Sequence, residues 1–394
     1  MAATRAQRHY GMDWLRIGAF GLLIIYHVGL VFAPWNFEPK DRAAYEWVTI
    51  PLVFTNSWRL SLLFAISGYA SAALLARERV VGAFLRSRLA RLGIPLAFGT
   101  ALIVAPQPWA ALAGEHGYPH GFGYFLIHDY FRFGRIDGVL VPDWAHLWFV
   151  GYLLVYTFVL GALWSLPPHL RSALRRGAER VLAGPWLLPA GMAFVLVARL
   201  LPPGWSDTRA LVDDASAHAV YLSSFLFGVL LRRSEALRLA ILRQWKIAGL
   251  LGLAGYLVVA GFEARFHGSV PRDLLAPFLI ARAVQSWGMI VALFGIADRY
   301  WNRDGAWRAT LAEAVFPFYI VHQTIIMLVN FWLADSAIGA PGRFAILIAA
   351  TAGGCWLFYL VGREIGPLRP LIGLKRTHAR AFPLHAPAEA VPAE

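Results

Sequence analysis

DWLRIGAFGLLIIYHVGLVFAPW, residues 13–35, decides how the chain must fold. From Ile17 to Trp35 the run is apolar, and the only side chain in it that titrates near neutral pH is His27. A hydrocarbon core of about 30 Å takes about 20 residues of helix to cross, so the run is long enough to span a membrane. Asp13 and Arg16 stand at its mouth. A charged mouth, a central histidine and the lack of a convincing A-x-A site downstream argue against a cleaved signal peptide, and the segment is expected to be retained.

Runs of this kind recur along the chain. Ten spans are expected, at roughly 17–35, 50–76, 93–113, 147–166, 186–203, 216–232, 246–263, 275–297, 311–334 and 343–363. The second is the least regular, opening at Pro51 and carrying Asn56, Ser57 and Arg59. Apolar residues make up 58% of the chain and charged ones 15%, against about 25% charged in a soluble protein. The fold class is all-α: a polytopic integral membrane protein of about ten transmembrane helices. Residues 1–365 are expected to form one transmembrane domain, and 366–394 an Ala/Pro-rich cytoplasmic tail without fixed structure.

The formal charge of +13 suggests nucleic acid, but the arginines cluster between apolar runs, where topology signals lie. With the amino terminus placed inside, the cytoplasmic segments hold 25 of the 36 Lys and Arg residues, the opposite segments 8 and the spans 3. The excess falls at every alternate loop, which predicts both termini in the cytoplasm and an inner (plasma) membrane protein. No nucleic-acid partner is expected. The longest connection, 106–146, has too many aromatics for a solvated linker and is expected to pack back on the bundle. Cys355 is the only cysteine, which excludes an intrachain disulfide framework and a cysteine-rich metal centre.

Ionisable groups at membrane depth cost about 2.5–3.5 kcal/mol each, so each is a functional candidate. Arg16 and His27 are eleven residues apart, which brings them within about 20° of one helix face and separates them by about 16 Å, so they are expected to line one vertical groove. Running down from the opposite side, Arg59 reaches the depth of His27, and His322 on the ninth span reaches it from below, near Ser67, Gly68 and Gln323. Arg282, Gln285 and Ser286 add a fourth contribution. Each has a bland alternative: a histidine bonding a neighbouring carbonyl, an arginine that snorkels, an anchor at the membrane surface. Three helices meeting at one depth favour a site.

No H-E-x-x-H, P-loop, G-x-G-x-x-G or G-x-S-x-G motif is present, and no metal site is expected. A histidine in a polar pocket suits general-base work. The run FLRSRLARLGIP at 84–95 offers Arg86, Arg88 and Arg91 to a phosphate-rich ligand, or simply signals topology.

DWLRIGAFGLLIIYH at 13–27, an Arg followed eleven residues later by a His, resembles the signature of the membrane acyltransferase-3 family. SWRLSLLFAISGYASAALL at 57–75 is similar to that family's second helix. RSRLARLGIP, HLWFVGYLL at 146–154 and FPFYIVHQTII at 316–326 follow in the family's order. Together the matches cover residues 10–365 and look closest to the branch that succinylates periplasmic glucans.

The resemblance implies transfer of an acyl group, acetyl or succinyl, from cytosolic acyl-CoA to a hydroxyl of an extracytoplasmic carbohydrate. Acyl-CoA would be a cosubstrate, with no cofactor bound permanently. His27 would be the catalytic histidine, with Arg16 as its donor-side partner and Arg59 as a pocket group. Arg86, Arg88, Arg91 and Ser67 would contact the donor, while His146 and His322, with Arg282 and Gln285, would line the substrate pocket. Membrane lipid is the remaining expected partner, and the sequence carries no sign of oligomeric state. The competing readings are a transporter or flippase of a sugar or small polar substrate, and a noncatalytic scaffold.

Overall fold

Apolar runs become helices here because a helix satisfies every backbone donor and acceptor internally, which the bilayer interior demands. The computed structural model describes residues 9–35, 37, 44–202 and 207–376. The chain runs through α1 (Tyr10–Phe32), the broken pair α2 (Thr49–Asn56) and α3 (Arg59–Glu78), and α4 (Val81–Arg88), α5 (Ile94–Phe98) and α6 (Pro106–Glu115). Widened π turns at Leu89–Gly93 and Gly99–Ile103 separate these last three. After α7 (Phe122–Tyr124) and a small antiparallel hairpin come α8 (Trp148–Ser165), α9 (Pro168–Leu182), α10 (Leu187–Ala198) and α11 (Ala215–Arg233). The last five are α12 (Glu235–Phe266), α13 (Leu275–Tyr300), α14 (Arg308–Leu333), α15 (Ala340–Glu364) and α16 (Leu368–Leu371).

Among the described residues nine helical segments are long and apolar enough to cross a membrane, with α2–α3 and α4–α6 each counted once, or ten if the bent pair of α9 and α10 is one span. The difference from ten lies at the expected span 186–203. There α10 has 12 residues, about 18 Å of helix, and it meets α9 at a bend of 104°. The helix stops at Ala198 because Arg199 turns into a polar cluster, bonding Asp207 at 2.8 Å and the Tyr221 hydroxyl at 3.3 Å. α9 is amphipathic and basic, with Leu170, Leu174 and Val181 exposed, as in a helix lying along a membrane surface.

Several helix pairs pack backbone to backbone, among them α1 with α13, where a Cβ added at Gly11 would strike the carbonyl of Ala297. A Cβ added at Gly68 would strike the carbonyl of Phe225, and one at Gly228 the carbonyl of Ala65, so α3 and α11 touch through reciprocal glycines. On α12 and α13, a Cβ added at Gly288 would lie 2.7 Å from the Ala248 carbonyl and one at Gly255 2.6 Å from the Ala281 carbonyl. Close packing of this kind drives helix association in lipid, where burial of apolar surface from water is not available.

The connection after α6 packs back on the bundle, as expected. Phe125, Tyr130 and Val141 form a core with Leu112, and Trp109 lies 5.3 Å from Phe331 of α14. The Tyr118 hydroxyl donates to Asp129, and burial together with that bond pushes the phenol up to about 12. Residues assigned to the tail begin folded: α16 packs against α5 and α15, and Ile372 and Leu374 are buried. Residues 377–394, the rest of the expected tail, lie outside the described residues.

The glycine contact makes a sharp prediction. Gly68→Leu should destabilise the protein by about 1–3 kcal/mol or more, through overpacking against backbone that cannot yield. It should lower the melting temperature in detergent, whereas Gly21→Ala, which meets open space, should not. Equal melting of the two variants would contradict the contact.

Candidate functional site

Polar backbone at the break between α2 and α3 opens the site. At Ser57–Trp58 the helical ladder is interrupted, and Gln285 of α13 fills the gap. Its amide donates to the carbonyls of Val53 at 2.9 Å and Phe54 at 3.0 Å, and it accepts from the Ser57 hydroxyl at 2.9 Å. The break lets α3 begin at Arg59, inside the bundle. Arg59 is only 4% exposed. Its guanidinium lies 3.5 Å above the Tyr26 ring, and the hydroxyl of Thr55 is 3.5 Å from its Nη1. A desolvated cation over an aromatic face gains about 2 kcal/mol or more, offsetting part of the burial.

Across the same cavity, His27 Nδ1 lies 3.1 Å from His322 Nε2. The other nitrogen of His322 faces the carbonyl of Tyr319 at 2.8 Å. A carbonyl only accepts, so His322 Nδ1 carries the hydrogen and its Nε2 holds the lone pair. Nδ1 of His27 must then donate, which puts the His27 lone pair on Nε2. One helical turn of α14 therefore selects the tautomer of a histidine on α1.

His146, just before α8, braces this arrangement from behind. Its Nε2 is 3.0 Å from the carbonyls of both Tyr319 and Ile320, its ring is 5.0 Å from that of His322, and its own carbonyl accepts from the Tyr319 hydroxyl.

The cavity has a volume of about 270 Å³, with His27, Arg59, His146, Tyr319, Asp207 and Arg209 among its walls. Pockets that engulf a drug-sized ligand measure about 300–1,000 Å³, so this one takes only the reacting end of a large substrate.

Arg16 belongs to a different space. Its Nη2 donates to the Ala312 carbonyl at 2.7 Å, and it lines a cavity of about 540 Å³ with His9, Tyr69, Arg77 and Arg232, at the face where α1 begins. No residue lines both cavities. Phe20 and Leu23, 4% and 3% exposed, pack between them, with Phe20 edge-on to His322 at 5.6 Å. The single vertical groove expected from the spacing is thus interrupted.

The structure brings together His27, Arg59, His146 and Gln323 around one cavity, with His322 against His27. The other expected residues stand apart. Arg86, Arg88 and Arg91 lie on α4 and the π turn beside α8, and none lines the His27 or the Arg16 cavity. Ser67 lines neither; its carbonyl accepts from Ser71. Arg282 stacks over Phe278 at 5.6 Å, and Gln285 is committed to the helix break. The sequence reading missed Asp207, Arg209 and Tyr319, and gave no role to Asn56, which also lines the cavity. Tyr319 could have been found, three residues before His322 on the same helix face, whereas Asp207 and Arg209 sit in an irregular loop without periodicity.

Residues 9–360 match the family described as "Acyltransferase domain", acyltransferase-3. The chain belongs to that family. It is a multi-pass membrane acyltransferase, which sets the transporter reading aside. Two relatives are each described as "Glucans biosynthesis protein C". One, from Salmonella gallinarum, is 24% identical over 336 residues, covering 83% of this chain and 84% of the relative. The other, from Escherichia coli, is 28% identical over 341 residues with the same coverage. No solved structure matches. Among the described residues no cluster of His, Cys, Asp or Glu could hold a metal ion.

Replacing Gln285 by Leu should leave the Val53 carbonyl and the Ser57 hydroxyl unpaired, at about 1–3 kcal/mol for the buried groups. A thermal melt in detergent should show the loss, and an unchanged melting temperature would contradict the bridging role.

Proposed function

We propose that the chain moves an acyl group, acetyl or succinyl, from cytosolic acyl-CoA to a hydroxyl of an extracytoplasmic glycan, with His27 as general base. The observation that carries this is the 3.1 Å contact between His27 and His322 in a cavity that also holds a buried guanidinium. The relatives described as glucans biosynthesis proteins favour a glucan acceptor. The clustering of Lys and Arg favours both termini in the cytoplasm of a cell with its inner membrane as the site.

In this reading His27 Nε2 takes the proton from the acceptor hydroxyl as the oxygen attacks the thioester carbonyl. His322 accepts the His27 Nδ1 hydrogen and steadies the imidazolium that forms. The oxyanion develops beside Arg59, whose donors need no reorganisation. Collapse breaks the C–S bond, and His27 returns its proton to the departing CoA sulfur. Atoms and charge balance without a metal or a redox partner.

The donor's phosphates would dock at the Arg16 cavity, on Arg77 and Arg232 rather than on Arg86, Arg88 and Arg91. Its pantetheine arm would reach His27 by displacing the Phe20 side chain. The acceptor would enter past Asp207 and Arg209 from the opposite face.

General-base help contributes about 10²–10⁴-fold, so His27→Ala should reduce acylation of a glucan acceptor by at least that factor while the protein stays folded in the membrane. His322→Ala should lower kcat by a comparable factor and leave donor KM nearly unchanged, because it acts through His27. Normal acylation by His27→Ala would end the assignment. Separately, Arg77→Gln or Arg232→Gln should raise donor KM with little change in kcat. If Arg86→Gln and Arg88→Gln do this instead, the donor docks at the arginine run.

A further inference from the structure

On the far side of α11 from the Arg16 cavity, a second basic pocket lies outside the catalytic path. Neighbouring residues at the end of α11 divide between two cavities: Arg232 lines the Arg16 cavity and Arg233 a cavity of about 530 Å³ between α8, α9 and α11, while both also border a third cavity beside Glu235. Trp164 forms the base of this second pocket. The Arg233 guanidinium lies 4.2 Å from its indole ring and that of Arg171 lies 5.1 Å away. Arg175 lines the same pocket.

Like charges gathered on one ring repel, and little here neutralises them. Among the described residues the carboxylate that pairs with the group is Glu179, 3.9 Å from Arg175 Nε. Among the described residues no carboxylate pairs with Arg171 or Arg233, and the buried Nε of Arg171 has no hydrogen-bond partner. Apart from Ser172 the rest of the pocket wall is apolar, including Leu226 and Leu230. Three guanidiniums over a greasy wall, at the edge of a helix lying along the membrane surface, match an anionic head joined to hydrocarbon tails.

The geometry points to a binding site for one anionic phospholipid, its phosphate held by Arg171, Arg175 and Arg233 and its acyl chains laid along α8 and α11. The lipid neutralises the repulsion and ties α9 to the bundle at the 104° corner with α10. Guanidinium and ammonium both attract a phosphate, so lysine at the three positions retains part of the binding.

The full chain, purified and reconstituted in nanodiscs of phosphatidylglycerol and phosphatidylcholine in equal amounts, is released for native mass spectrometry. The wild-type protein should retain phosphatidylglycerol in preference to phosphatidylcholine. The triple variant Arg171→Gln, Arg175→Gln, Arg233→Gln should lose that retention by about tenfold or more, while the triple lysine variant keeps most of it. Equal retention of the two lipids by the wild-type protein overturns the proposal, and this holds even if the glutamine variant does not fold. Wild-type retention by a folded glutamine variant overturns it too. Displacement of the lipid by millimolar inorganic phosphate also overturns it, in favour of a soluble anion.

Discussion

A single hydrogen sits between His27 Nδ1 and His322 Nε2, and its direction is fixed by a third atom, the Tyr319 carbonyl. Because that carbonyl can only accept, the hydrogens along the chain of rings must point one way, and the lone pair at the end of the chain has one place to be. Three helix segments have to be held in register for this to work. α1 supplies one ring, α14 the second together with the carbonyl, and the segment before α8 supplies His146 to hold the same carbonyl from the other side. The backbone contacts between α3 and α11 and the Gln285 bridge at the α2–α3 break then hold Arg59 at the depth of these rings.

The arrangement also explains why the site is small and divided. On the proposed reaction, which joins substrates from two aqueous phases, the bundle must not leave an open pore. Here the basic cavity at the amino-terminal face and the histidine cavity share no wall residue, and Phe20 and Leu23 fill the space between. The same phenylalanine that closes the path lies edge-on against His322. Movement of Phe20 would therefore be felt at the histidine pair, a coupling that follows from packing alone.

Much of this was legible in the sequence because helix geometry in a membrane is nearly one-dimensional. Counting residues from the ends of apolar runs set His27, Arg59 and His322 at one depth, and they do meet. The count could not see what lies between two groups on one helix face, so Arg16 and His27 were joined in a groove that Phe20 and Leu23 fill. Nor could it tell a polar residue that mends a backbone break, Gln285, from one that lines a pocket, since both are simply polar at depth. The run Arg86, Arg88, Arg91 was assigned by charge density, but its direction depends on how α4 packs against α8. Asp207 and Arg209 come from an irregular loop whose position is set by the Arg199 and Tyr221 bonds, information spread over three segments. The fifth span fell short for the same reason, its end drawn off by Arg199.

The direction of the hydrogen between the two imidazoles tests the account most directly. Nitrogen-15 magnetic resonance of the histidine-labelled protein in lipid, with His27 assigned by its loss in His27→Ala, reads which ring nitrogen is protonated. The account predicts neutral His27 with hydrogen on Nδ1, shifting toward a mixture of tautomers in His322→Ala. Hydrogen on Nε2 of His27 in the unsubstituted protein would contradict it, because the lone pair would then point at His322 and away from the cavity.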